Sequence, residues 1–431
     1  MANILILYNS TETYTQAVFE HLSSFSRYSH HTAHFAHISK TSKCNIDLSF
    51  YDALLIHYSV RLPLDQISQT WELAFACYKG FKGLFIQDEY EHTKRTWHWI
   101  NRLKVDVVFT CVPERNIKKI YPNHLFENTK FVNVLTGYVP HCLKELKNDL
   151  PPSQRKKTLV YRGRSLPVHY GQLGREKQSI GQMVRSYAER HGHYVDIDWR
   201  EEARIYGENW YDFLSSGRAT LGTESGSNVF DWDGDLKSRI HDARIKYPNM
   251  SDCELLQHLG IVDEPDLMNQ ISPRLFEAIA LRTVLVLYKG NYSGLLRPNE
   301  HYIPLERDGS NLSEVFDKLA DGAALDEMAA RAHKDVIDAD IASYKHFVAA
   351  VEAQMSLELD TKVTSSTLRL QKGVTVSPKR ALPPALTLRQ IFEAKGSLKD
   401  RFLVLIGYLG RQTPKQFRDI VGTHVKQLLR I

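Results

Sequence analysis

The chain lacks any run of about 18 apolar residues, the length a helix needs to cross a bilayer, so no membrane span is expected. Residues 1–6 are too short for the core of a secretion leader and have no basic lead, and the cysteines read as the reduced thiols of a cytoplasmic protein. Cysteine is scarce. The five (Cys44, Cys77, Cys111, Cys142, Cys253) are scattered, odd in number and form no CxxC pair, which excludes a disulfide frame and a zinc site of that kind. No GxGxxG follows the first apolar strand, which argues against a standard dinucleotide site in the first half. Positive charge is missing from the main body. Residues 361–431 hold 14 Lys/Arg and 3 Asp/Glu, whereas the remainder holds 41 and 47, so the overall +5 belongs to the tail. An acidic body excludes a nucleic-acid-binding core and leaves a local anionic partner for the tail.

What is present is short apolar runs alternating with helical stretches. In the first half the strands fall at 3–8, 51–58, 82–90, 105–111 and 131–138, with helices at 14–25, 93–103 and 113–119. This alternation predicts an α/β fold with a parallel sheet covered on both faces. Ligands in such sheets bind at the carboxyl ends of strands. The polar residues there are His57, Ser59, Arg61, Gln87, Asp88 and Glu89. Asp88 is the expected catalytic base and His57 its reserve. A polar, Pro-rich linker at 151–157 then opens a second series, with strands at 158–164, 194–199, 219–222, 284–287 and 301–305 and a helix at 178–191. The expected domains are 1–150 and 151–345, a crossover helix at 346–359, and a linker with a basic amphipathic helical tail at 360–431.

The most informative stretch is 271–287. Ser272 reads as a helix N-cap and Pro273 as the first helical residue, where a missing N–H costs nothing. A helix start is an anion site, and Arg274 adds a fork of donors to it. Glu277 lies about 4.5 Å further along the axis, roughly the step from a diphosphate to its ribose. The stretch therefore suits a nucleoside diphosphate. A second stretch, 223–234, is rich in hydroxyls and carboxylates with a glycine inside it, and suits a polyhydroxylated ligand.

Laid out this way, the chain resembles the two-Rossmann-domain glycosyltransferases (the GT-B fold) over residues 1–355, and in particular the bacterial group-1 and spore-maturation-like kind. The likeness is strongest at Arg274-Leu275-Phe276-Glu277-Ala278, which looks like the family's R-x-F-E-A donor motif. It implies a nucleotide-diphosphate sugar as donor substrate, no cofactor and no metal. It assigns the ribose to Glu277 and the diphosphate to Arg164 and Lys177, with Arg162 and Arg175 nearby and Ser272, Pro273 and Arg274 at the helix tip. It also sets Glu224, Ser225, Gly226 and Ser227 against the donor sugar. The sequence departs from the pattern at Asn269, where a first glutamate is common, at Arg282 and Val284, and at Gln87-Asp88, where a His is frequent. Both stereochemical outcomes stay open.

The implied acceptor is a glycan or lipid-linked glycan of bacterial surface polysaccharide synthesis. A nucleotide-sugar epimerase of the same fold and a non-catalytic, membrane-associated scaffold are the alternatives. The tail, with helices expected at 386–394, 398–409 and 414–429, suits the anionic inner face of a membrane. Packing on the enzyme's own acidic body or on a second copy, and docking of a partner, are the other readings, and the oligomeric state stays open.

Overall fold

The computed structural model describes residues 1–13, 16–145, 150–205 and 208–363. Two parallel sheets dominate it. The first contains β1 (Asn3–Tyr8), β2 (Thr32–His37), β3 (Ala53–Ile56), β4 (Phe81–Ile86), β5 (Val107–Thr110) and β6 (Lys130–Asn133), in the order β2-β1-β3-β4-β5-β6. The second contains β7 (Lys157–Arg162), β8 (Val195–Asp198), β9 (Gly217–Gly222), β10 (Val284–Tyr288) and β11 (Tyr302–Leu305), in the order β11-β10-β9-β7-β8. The central strands are continuous apolar runs because helices cover both faces. Ile4–Leu7, Ala53–Ile56 and Val284–Leu287 are all nearly inaccessible to solvent. The fold is thus two Rossmann-like α/β units, as the alternating pattern predicts.

The boundaries differ instructively. β2 was not anticipated, because the run Thr-Ala-His-Phe-Ala-His of an edge strand carries no apolar alternation. The first long helix of the second unit is Gly171–His191, seven residues longer than expected at its start. Gly171 and Gly174 read as loop residues in sequence. In space Gly174 backs onto Tyr170, where a Cβ would lie 2.6 Å from the Tyr170 Cβ. Gly192 closes the helix in the left-handed conformation at φ 72°.

The expected linker 151–157 is not a free hinge. The Arg155 guanidinium is buried and donates to the carbonyls of Gly217 and Leu281 and to Thr283 Oγ1, at 2.8–2.9 Å. Ser153 bonds Asp326. The stretch is therefore bolted to the second unit.

The stretch 229–270, expected to stay with the second unit, straps onto the first. Phe230, Leu267 and Met268 join the first sheet's core. Backbone bonds run from Asp231 N to Tyr90 O, from Thr93 N to Asp231 O and from Lys94 N to Trp232 O. Asn116 donates to the carbonyls of Asp266 and Leu267. Two helices within the strap, Leu236–Lys246 and Asp252–His258, were not anticipated. The second has a full capping box from Ser251 and Glu254.

The crossover helix runs Tyr344–Val363 and seats Phe347, Val348, Val351 and Met355 against Ile4, Ile6 and Phe85 of the first unit. The tail helices expected beyond it lie outside the described residues. Among the described residues no helix is long and apolar enough to cross a membrane.

Candidate active site

The helix Pro273–Ala280 buries Leu275, Phe276, Ala278, Ile279 and Ala280, which leaves Arg274 and Glu277 on its open side. Ser272 holds the N-cap position in extended conformation, but its hydroxyl makes no capping bond. The tip faces the first unit. A Cβ on Gly137 would lie 2.7 Å from Pro273 Cγ, and Thr136 Oγ1 donates to Ile271 O at 2.7 Å.

Glu277 Oε2 accepts from the Trp210 indole N–H at 2.7 Å. Burial raises the Glu277 carboxyl, while Trp210 and Arg274 pull it back. The Arg274 guanidinium lies 5.1 Å from the Trp210 ring centre and donates to Arg162 O at 3.3 Å. Trp210 escaped the sequence reading. A single Trp in a short amphipathic helix reads as core, and only the fold brings it to Glu277.

Lys177, on the first turns of Gly171–His191, reaches Ser225 Oγ at 3.1 Å and Glu224 O at 3.3 Å. Burial, then the like charge of Arg274, pushes its ammonium down to about 8. Glu176 works against them and Arg164 adds to them. The exposed Arg164 also acts on Tyr170, as do Asp88 and Arg61 from the first unit. Tyr170 and Tyr90 meet edge to face, with centroids 5.9 Å apart. Lys177, Arg164, Arg274 and Glu277 therefore share one electrostatic neighbourhood, and Tyr170 joins it to Asp88.

Other expected site residues are engaged elsewhere. The Arg162 guanidinium pairs with Asp196 at 2.7 Å and lies 4.2 Å from the Phe213 ring centre, so only its carbonyl reaches the site. Arg175 turns to Asp263 at 3.5 Å and to Gln172. Glu224 is buried and accepts from Asn269 Nδ2 and from the N–H groups of Asn291 and Tyr292, at 2.7–3.1 Å, which makes it a brace for the loop. Gly226 is at φ 106° against Met268 O, a backbone approach that only glycine allows. Ser227 is buried and bonds Val229. Of that loop, Ser225 alone keeps its side chain partly open beside Lys177.

His57 is corrected outright. It is fully buried, bonded through Nδ1 to Ser59 at 2.9 Å and packed on Tyr58 and His21, with ring centres 4.0 and 4.8 Å away. Burial, with His21 adding to it, pushes its protonation well down. It belongs to the core of the first unit.

Asp88 follows β4 and lines a cavity of about 150 Å³ between Tyr58, Arg61, Gln87 and Thr96. Dense protein surrounds it, yet its side chain keeps 45% of its surface open, as fits a group in a crevice. Burial raises its carboxyl, and Arg61 and a 2.8 Å bond from the Tyr90 hydroxyl oppose the rise.

No family model matches the chain, and no curated protein matches its sequence. Solved structures similar to it include an alpha-glucosyltransferase in complex with UDP, at 11% identity, 84% of this chain, 100% of that chain and TM-score 0.46. A sucrose-phosphate synthase from Thermosynechococcus elongatus matches at 10% identity, 85% and 100% coverage and TM-score 0.40. An S. aureus MnaA–UDP complex matches at 10% identity, 87% and 100% coverage and TM-score 0.37. Likeness at this level assigns no chemistry, and the site stands on its own geometry.

Proposed function

We propose that this chain is a glycosyltransferase of the two-Rossmann-domain kind, taking its sugar from a nucleotide-diphosphate donor. One arrangement carries the reading. Glu277, fixed by Trp210, lies one helical turn behind Arg274, and the charges of Arg274 and Arg164 both act on Lys177. In this reading Glu277 takes the ribose hydroxyls. Arg274, Lys177, Arg164 and the positive end of the helix receive the diphosphate, so the chain's own cations neutralise the leaving group.

Transfer breaks the bond between the sugar's anomeric carbon and the terminal phosphate oxygen, which keeps the electron pair. The acceptor hydroxyl oxygen bonds to that carbon, and Asp88 takes its proton. The acceptor is a glycan, including one carried on a lipid in surface polysaccharide synthesis. The basic residues of 361–431 would bring the enzyme to an anionic membrane face.

Calorimetry with UDP, GDP, CMP and dTDP tests the donor site. One nucleoside diphosphate should bind, and Glu277→Ala should weaken it about ten- to hundredfold, the worth of a charged hydrogen bond or two. Equal affinity in the variant removes the reading. Pelleting with anionic liposomes, full chain against a chain ending at Leu359, tests the tail.

A further inference from the structure

The crevice at Asp88 has a composition that selects its occupant. Its polar wall carries the carboxylates of Asp88 and Glu12 and the side-chain oxygen of Gln87, whose Nε2 is committed to Thr136 O, beside the Tyr58 hydroxyl and a Ser59 hydroxyl already engaged with His57 Nδ1 and the Asn9 N–H. Thr96 also lines it, is 1% exposed, and has a hydroxyl with no partner among the described residues. A buried hydroxyl is nearly always partnered, so this one is a polar group the fold leaves unused behind the crevice wall. Val60, Leu62 and Pro63 add aliphatic surface to the lining. A cavity of about 150 Å³ holds one six-membered ring.

Among the described residues the lining holds one cation, and it is already engaged. Arg61 is ion-paired with Glu91 and lies 3.9 Å from Asp88. Burial works against its charge, but Asp88, Glu91 and Glu12 together hold the guanidinium above its ordinary range. Lys237 pairs with Glu91 at 3.4 Å, and its charge also helps to hold the Asp88 carboxylate. Three carboxylates thus face two cations. An entering anion would have to displace Arg61 from its partners and would face the charges of Asp88 and Glu12. Hydroxyl and ammonium groups, being donors, suit this wall.

We propose that the Asp88 crevice binds a single neutral or amine-bearing sugar ring and rejects phosphorylated or carboxylated ones. It names the acceptor's chemistry within the transferase reading and rests on that reading for its role, though not for its binding. Lipid or phosphate portions of an acceptor would then stay outside the crevice.

Saturation-transfer NMR on the full chain tests this with glucose, glucosamine, glucuronate and glucose 6-phosphate as probes. Glucose and glucosamine should bind, with glucosamine at least about tenfold tighter than either anion. Val18→Trp, which fills a partly open wall, should abolish the signal. Glu12→Lys, at a partly exposed site, should let glucuronate bind and lower the discrimination below about threefold. Equal binding of an anionic probe, persistence in Val18→Trp with Glu12→Lys also without effect, or binding of none of the four overturns the proposal. A UDP titration of the same sample separates the two failures. Nucleotide binding without the sugar selectivity sinks this inference alone, whereas loss of nucleotide binding sinks the transferase reading.

Discussion

Glu277 and Lys177 show how single side chains are tuned by what surrounds them. The Trp210 indole is the fixed donor to Glu277 at 2.7 Å. Trp210→Phe keeps the ring under Arg274 but orphans a largely buried carboxylate, which costs about 1–3 kcal/mol. The measurable results should be a lower Tm and weaker nucleotide binding. Lys177 titrates near 8 because burial and Arg274 disfavour its charge. An anionic ligand favours that charge, so its affinity should be level below pH 8 and fall above it, by up to about tenfold per pH unit. Lys177→Met should flatten the profile, as calorimetry from pH 6.5 to 9.5 would register.

Glu89 makes stability itself depend on pH. It is fully buried, and its carboxyl is raised to about 8 by burial, against bonds from Thr110 and the Cys111 N–H. Between the unfolded value near 4.5 and the folded value near 8 the native state holds the extra proton, so stability declines as pH rises across that window and then levels. Glu89→Gln, which cannot ionise, should gain Tm relative to the natural chain at pH 8 and little at pH 5.

Among the elements, the loop after β9 is the most constrained. Ser225 and Gln270 exchange two backbone bonds of 2.7 and 2.9 Å, and Gly226 beside them has Met268 O where a Cβ would go. Gly226→Ala meets both a positive φ and a backbone clash and should cost several kcal/mol, about 2–4 by the strain such positions store. Thermal unfolding with and without UDP would report both the loss and the loosening of Lys177.

The elements legible in sequence were those with their own local signal. The runs Ile4–Leu7 and Val284–Leu287 are apolar without a break, and the helix at 273 announces itself through Pro273 and its buried spacing. His57 and Asp88 looked alike, each polar at a strand end, and only tertiary packing set one in the core and the other in a crevice. The cations divided in the same way. Arg162 and Arg175 differ from Arg164 and Lys177 through Asp196 and Asp263, which are remote in sequence.

At the scale of the whole molecule, the two units share material. The first sheet's core borrows Phe230, Leu267 and Met268 from the strap and Phe347, Val348 and Met355 from the crossover helix. Calorimetric unfolding should therefore show one cooperative transition rather than two, and Phe230→Ala should lower it by about 3–5 kcal/mol of core packing. A resolved second transition unaffected by that substitution would show the strap to be decoration.

This sharing also sets a schedule for synthesis. Residues 1–145 leave the ribosome with every strand of the first sheet, but Met355 follows about ten to forty seconds later at ordinary elongation rates. Until then the aromatic surface around Phe25 and Phe85 has no cover of its own. The nascent chain must wait for the helix Tyr344–Val363 before the core of its first half is closed.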